Sequence, residues 1–87
     1  GNVFENCGGI KLDHVWNYAM AGNVLKDIDG SGFSCNDTRY GSITGNTVNN
    51  CSGNGLTMTS TENVFNTITG NFFGFIDSHG IWLSGDN

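Results

Sequence analysis

Gly-Asn recurs at residues 1–2, 22–23, 45–46 and 70–71, with spacings of 21, 23 and 25 residues. A repeat on this scale constrains the fold more than any single motif, because a unit so short cannot bury a hydrophobic face alone. Read from each Gly-Asn, the units begin GNVFENCGGIKL, GNVLKDIDGSGFSC, GNTVNNCSGNGLTM and GNFFGFIDSHGIWL. The fourth residue of each is Phe4, Leu25, Val48 or Phe73, and the seventh is Cys7, Ile28, Cys51 or Ile76. A glycine then precedes an apolar-x-apolar triplet: Ile10-Lys11-Leu12, Phe33-Ser34-Cys35, Leu56-Thr57-Met58 and Ile81-Trp82-Leu83. The first unit is two residues shorter before that glycine. A lead-in triplet (Ala19-Met20-Ala21, Ser42-Ile43-Thr44 or Thr67-Ile68-Thr69) stands directly before each later Gly-Asn.

Alternation within the triplets suits short strands with one buried face. Each unit offers about three such strands, separated by turns of Gly, Asn, Ser and Asp. Stacking the units buries their inward rows continuously, with a rise of about 4.8 Å per coil. Cys7, Ile28, Cys51 and Ile76 then form one inward column, and Leu12, Cys35, Met58 and Leu83 another. Asn2, Asn23, Asn46 and Asn71 stack at a turn, where their amides bond to each other and to turn backbone. The glycine before each Asn suits a positive φ or a close backbone approach. The expected organisation is one segment over residues 1–87, with about four coils of 21–25 residues starting near 1, 22, 45 and 70. Such a stack stands about 19 Å tall.

Composition agrees with strands and turns. Fourteen glycines and many Asn, Thr and Ser among 87 residues disfavour long helices. The formal net charge is −5, and Lys11, Lys26 and Arg39 are the three basic residues. A nucleic-acid partner, which needs a basic face, is therefore not expected. No apolar run approaches the roughly 18 residues of a helical membrane span, so no membrane partner is expected either. The N-terminus shows no signal-peptide pattern. Cys7, Cys35 and Cys51 cannot all pair within one chain, and none forms C-x-x-C. Cys7 and Cys51 would stand two coils apart, roughly 9.6 Å, beyond disulfide reach. All three read as small buried hydrophobes.

No cofactor is expected. Asp27-Ile28-Asp29-Gly30-Ser31-Gly32-Phe33 resembles the opening of a calcium loop, but the twelfth place falls on Thr38, where calcium needs a bidentate Glu. The repeat alignment instead makes Ile28 an inward rung and Gly32 a turn glycine.

The N-x-I-T-G-N, G-N-x-V and G-I-x-L units are best displayed in NTITGNFFGFIDSHGIWL, residues Asn66 to Leu83. They resemble the right-handed parallel β-helix repeats of pectate-lyase-like proteins and phage tailspikes. The resemblance covers essentially the whole chain and is specific for fold, weak for chemistry. It implies an all-β, right-handed parallel β-helix, a hand that also agrees with the chirality of parallel crossovers. It implies a polysaccharide partner and an extracellular or virion-surface location. The family's activities include polysaccharide lyases, glycoside hydrolases, epimerases and non-catalytic spikes. A purely structural alternative is a rigid assembly segment packed as a homotrimer. Neither end carries a polar cap or covering helix, so an excerpt of a longer helix, or a piece covered by partner chains, is expected.

The outward positions supply the candidate site. Lys11, Ser34, Thr57 and Trp82 form one ladder; Asp13, Asn36, Thr59 and Ser84 form the next. Sugars bind such strips through hydroxyl hydrogen bonds and stacking on an aromatic face. The same strip is also the ordinary polar outside of a half-buried sheet. Lys11, Ser34, Asn36, Thr57, Thr59 and Trp82 are the candidate substrate-binding residues. Asp13 and Asp37 follow consecutive apolar-x-apolar strands, with His14 and Arg39 close in sequence. That group holds an acid, a base and a cation, the parts that sugar chemistry by proton transfer needs. Ordinary turn geometry also accounts for Asp at these places. Asp29 and Asp77 share a turn position two coils apart, with Ser52 between, at roughly 9.6 Å. That is the edge of an inverting carboxylate separation. Glu5 and Lys26 read as an exposed cross-strand pair, His79 as a solvated turn residue, and Trp16 and Tyr18 as packing for a longer loop, with a ligand face as the alternative.

Overall fold

The computed structural model describes residues 1–59 and 63–83. Its strands are β1 (Val3–Cys7), β2 (Ile10–Asp13), β3 (Ala19–Ala21), β4 (Val24–Ile28), β5 (Phe33–Asn36), β6 (Ser42–Thr44), β7 (Thr47–Cys51), β8 (Leu56–Met58), β9 (Thr67–Thr69), β10 (Phe72–Ile76) and β11 (Ile81–Leu83). They form three parallel sheets, ordered β1-β4-β7-β10, β2-β5-β8-β11 and β3-β6-β9. Every third strand pairs with its equivalent in the next repeat, which makes the chain a parallel β-helix. The four sequence units amount to three complete turns and the first two strands of another.

Register follows the repeat. Phe4 pairs with Leu25, Leu25 with Val48, and Val48 with Phe73. Cys7, Ile28, Cys51 and Ile76 form the second column, and Leu12, Cys35, Met58 and Leu83 the third. The middle rungs are the best covered: Leu25, Phe33, Ile43, Val48, Cys51 and Leu56 are fully buried. Each such aliphatic or aromatic side chain contributes about 1.5–3 kcal/mol of burial free energy. Cys35 and Cys51 are buried free thiols and Cys7 is half-buried, and burial pushes the Cys35 thiol up to about 12.

The corners explain a spacing that alternation does not. In an unbroken strand, an inward residue four would leave residue seven pointing outward. Asn6, Asp27, Asn50 and Phe75 interrupt the strand at φ 55°, 56°, 65° and 52°. This left-handed residue turns the chain so that residue seven rejoins the core. Further corners stack at His14 and Asp37 (both φ 55°), at Asn17, Tyr40 and Phe65 (all φ 56°), and at Gly22, Gly45 and Gly70 (φ 66°, 64° and 65°). Asn tolerates this region better than most residues, and glycine adopts it freely.

Beside the glycine corner runs the asparagine ladder. The backbone N–H groups of Asn2, Asn23 and Asn46 donate to the Oδ1 atoms of Asn23, Asn46 and Asn71, at 2.9, 2.8 and 2.9 Å. Asn46 Nδ2 also donates to the Met20 carbonyl at 2.9 Å. A second buried ladder was not apparent in the repeat. Thr38 donates from its N–H and its hydroxyl to Asn63 Oδ1, at 2.9 and 2.8 Å.

Candidate functional site

The outer face of β2-β5-β8-β11 carries the expected ladder: Lys11 pairs with Ser34, Ser34 with Thr57, and Thr57 with Trp82. Asp13 pairs with Asn36 alongside. A groove of about 270 Å³ is lined by Lys11, Asp13, Ser34, Asn36, Thr57 and Thr59, with Leu12 and Cys35 beneath. Five of the six candidate binding residues therefore share one surface. Trp82 stands one rung further on, outside that lining, 41% exposed, with its ring 4.5 Å from the His79 ring. Ser84 lies outside the described residues. Some of the groove's polar groups already have partners. Thr57 Oγ1 accepts from Asn54 Nδ2 at 3.0 Å, and Asn36 Nδ2 donates to Asp13 Oδ1 at 3.0 Å.

At the corner after these strands, the four candidate catalytic residues meet. His14 Nδ1 lies 2.5 Å from Asp37 Oδ2, and Arg39 Nε donates to Asp37 Oδ1 at 3.1 Å. The far nitrogen of His14 is 3.5 Å from Asp13 Oδ1. Asp37 is 15% exposed at its side chain, while His14 and Asp13 are open to solvent. The Asp37 hydrogen bond, and then the Asp13 charge, hold His14 above its usual pKa. Asp37 is held below its usual value, chiefly by the His14 hydrogen bond and also by Arg39. The carboxylate is thus a fixed anion that orients the imidazole, and His14 is the group able to carry a proton.

Arg39 is also anchored on its other side. Its guanidinium carbon sits 5.0 Å from the Trp16 ring centroid, and residues 16, 39 and 64 form parallel bridges across three coils. Trp16 is 56% exposed rather than packed inside a loop. Tyr18 does pack: its ring fills the space above Gly41, and its hydroxyl donates to Asn66 Oδ1 at 2.7 Å. Asp29, Ser52 and Asp77 stack as expected, through backbone bonds to Cys7, Ile28 and Cys51. Asp27 and Asp29 accept side-chain hydrogen bonds from Asn50 and Ser52 in the next coil. Among the described residues, no three His, Cys, Asp or Glu side chains are grouped to hold a metal ion. A larger hollow of about 400 Å³ is walled by Met58, Ile68 and Leu83. Those three belong to inward columns, and Asn63, Val64, Phe65 and Asn66 complete the wall, so this space continues the core at one end of the described stack and shares no residue with the groove.

The family model for the right-handed β-helix region matches residues 1–87. This chain belongs to the right-handed β-helix family. No curated protein and no solved structure matches it. Membership fixes the hand of the coils and agrees with their parallel pairing. Membership shows the fold, and what the outer face can do rests on its own geometry.

Two features of the site escaped the repeat alignment. One is the Trp16–Arg39 stack. The other is the column Asn17, Tyr40 and Phe65, in which the Tyr40 and Phe65 rings lie 5.4 Å apart and nearly parallel, at 7°. The third unit is two residues longer between Thr59 and Asn63 than the second is between Asn36 and Thr38. Shifting the alignment there by two brings Tyr40 and Phe65 into one column.

Proposed function

We propose that this chain is part of a β-helix that handles polysaccharide outside the cell or on a virion surface, binding the glycan along β2, β5, β8 and β11. The groove itself carries this reading: six polar side chains from three successive coils line one hollow of about 270 Å³, and Asp13 joins it to the His14–Asp37–Arg39 cluster. Hydroxyls, an amide, a carboxylate and one ammonium group offer the mixed donors and acceptors that sugar hydroxyls need.

If the face is catalytic, proton abstraction suits it better than two-carboxylate hydrolysis. A glycosidase of the usual kind needs one carboxyl group kept protonated. Asp37 is held ionised instead, with both oxygens engaged. In a lyase, His14, neutral above its raised pKa, takes the C5 proton beside the uronate carboxylate. The freed electron pair forms the C4–C5 double bond, and the C4–O glycosidic bond breaks. In an epimerase a proton returns to C5 from the other face. In both, Asp37 holds the imidazole and Lys11 neutralises the sugar's charge.

The test is binding to a glycan array, followed by incubation with pectin-like and acidic capsular polymers. Bound glycan, with binding weakened by Lys11→Ala, supports the reading. Release of 4,5-unsaturated uronate that disappears in His14→Ala assigns the chemistry. Absence of any glycan binding overturns the proposal.

A second reading has an observation of its own. Val3, Val24, Thr47 and Phe72 form one outward column on β1-β4-β7-β10, whose three apolar members are 69%, 37% and 60% exposed. A mostly apolar column on a sheet's outer face favours a non-catalytic assembly segment that packs against copies of itself as a trimer. Light scattering separates the two: a trimer that Phe72→Ser dissociates supports assembly, and a monomer that binds glycan rejects it.

A further inference from the structure

We infer that Trp16, Arg39, Tyr40 and Phe65 form a second subsite that stacks a sugar ring, continuing the glycan path around the corner from the groove. The inference rests on the glycan reading above.

Local strain is the first observation. Residues 17, 40 and 65 share a left-handed corner at φ 56°, and the first coil fills it with asparagine. Asparagine tolerates that conformation; tyrosine and phenylalanine are uncommon there. Two bulky rings in consecutive coils therefore oppose the local preference, and turn geometry does not account for them.

Core packing does not account for them either. Tyr40 is 59% exposed and Phe65 75%. Tyr40 is flanked on both sides, by Asn17 of the coil before and Phe65 of the coil after, so its exposure is outward. The rings support each other at 5.4 Å, which holds them as one rigid apolar step. In the adjoining column, the Arg39 guanidinium lies over Trp16, which is 56% exposed.

Continuity is the second observation. Arg39 bonds to Asp37, Asp37 to His14, and His14 lies beside Asp13 in the groove. The groove and the aromatic shelf are therefore two panels of one surface, joined at the His14–Asp37 corner. A pyranose ring has a C–H face and a hydroxyl rim, and the shelf offers aromatic surface among Asn17, Asp37 and the Tyr40 hydroxyl. Aromatic residues and arginine also favour protein contacts, and continuity with the polar groove through Asp37, His14 and Asp13 is what assigns the shelf to sugar.

The test uses the double variant Tyr40→Asn with Phe65→Asn, which copies Asn17 at both corners. It removes the rings and relieves the backbone strain, so it folds with a melting temperature equal to or above that of the wild type. The probes are oligogalacturonides and cello-oligosaccharides of two and eight sugar units. Affinity for an eight-unit probe is expected to fall roughly tenfold, with the two-unit probe unaffected. The chain has two tryptophans, so Trp82→Phe leaves Trp16 as the reporter, and its fluorescence shifts with the eight-unit probe. Unchanged affinity at both lengths, with Lys11→Ala weakening both, overturns the shelf and leaves the groove standing. Loss of an oligomer in the double variant, with glycan binding intact, overturns it in favour of an assembly contact. A wild-type protein that binds none of the probes overturns the shelf and the groove together.

Discussion

His14 and Asp37 are 23 residues apart in the chain, yet their side chains meet at 2.5 Å. The contact is a consequence of stacking. Asp13 lies opposite Asn36, the His14 N–H donates to the Asn36 carbonyl, and the two following residues share the same left-handed corner. One coil supplies the imidazole, the next supplies the carboxylate that orients it, and Arg39 bonds to that carboxylate's other oxygen.

Stability should follow the ionisation of this pair. His14 is raised above 6.5, so its contribution is complete below that pH and is lost as pH climbs through the raised folded value. Asp37 is lowered below 3.8, so its contribution is present above that pH and is lost as pH falls through the lowered value. The bridge stabilises most between those two ordinary values. Melting temperatures of wild type and His14→Gln across the pH range check this. The gap is expected to be widest in that window and to close on the alkaline side, and a pH-independent gap contradicts it.

Ile28 sits in an inner coil at 3% exposure, paired with Cys7 on one side and Cys51 on the other. Ile28→Val is expected to cost about 0.5–1.5 kcal/mol by denaturant titration. Ile28→Asp places an unpaired charge in the column and is expected to abolish folding. A folded Asp variant with unchanged melting refutes the column.

Two glycines should fail for different reasons. Gly45 has φ 64° with open space where a Cβ would go, so Gly45→Ala costs backbone strain alone, about 1–2 kcal/mol. Gly45→Asn should cost less. At Gly32 the φ is ordinary, but a Cβ would lie 2.6 Å from the Gly55 carbonyl oxygen and 2.7 Å from Val48 Cγ1. Gly32→Ala must move backbone, and Gly32→Asn is no better. Chemical denaturation of the four variants distinguishes the two patterns.

Asn46 is 1% exposed and serves the ladder in both directions. Its replacement by alanine leaves the Asn23 N–H and the Met20 carbonyl without this partner, at a cost of about 1–3 kcal/mol for each buried group stranded. Asn2, at the exposed end of the ladder, should tolerate the same change. Equal melting losses at both positions contradict a buried ladder.

The inward columns and the asparagine ladder were legible in the sequence because each keeps one chemical class in register, and the outer face because its positions alternate with the inward ones. Phe4, Leu25, Val48 and Phe73 are interchangeable in that sense. The meeting of Asp13, His14, Asp37 and Arg39 was legible because Asp13 to Asn36 keeps the 23-residue step. The Tyr40–Phe65 column was hidden twice, by a two-residue insertion and by aromatic residues at positive φ, which local preference argues against. The Thr38–Asn63 bond was hidden because the rung changes residue type at each coil. Trp82 was assigned to the right ladder, but the groove ends one rung before it.

Equilibrium binding of one array-selected oligosaccharide to wild type and to Ser34→Tyr tests most directly whether the outer face of β2-β5-β8-β11 carries glycan. Ser34 is half-buried midway along the groove, between Lys11 and Thr57, and points away from the core. A tyrosine there fills the groove and leaves the inward columns untouched. Loss of binding with an unchanged melting temperature is the expected result. Equal binding by the two proteins contradicts it.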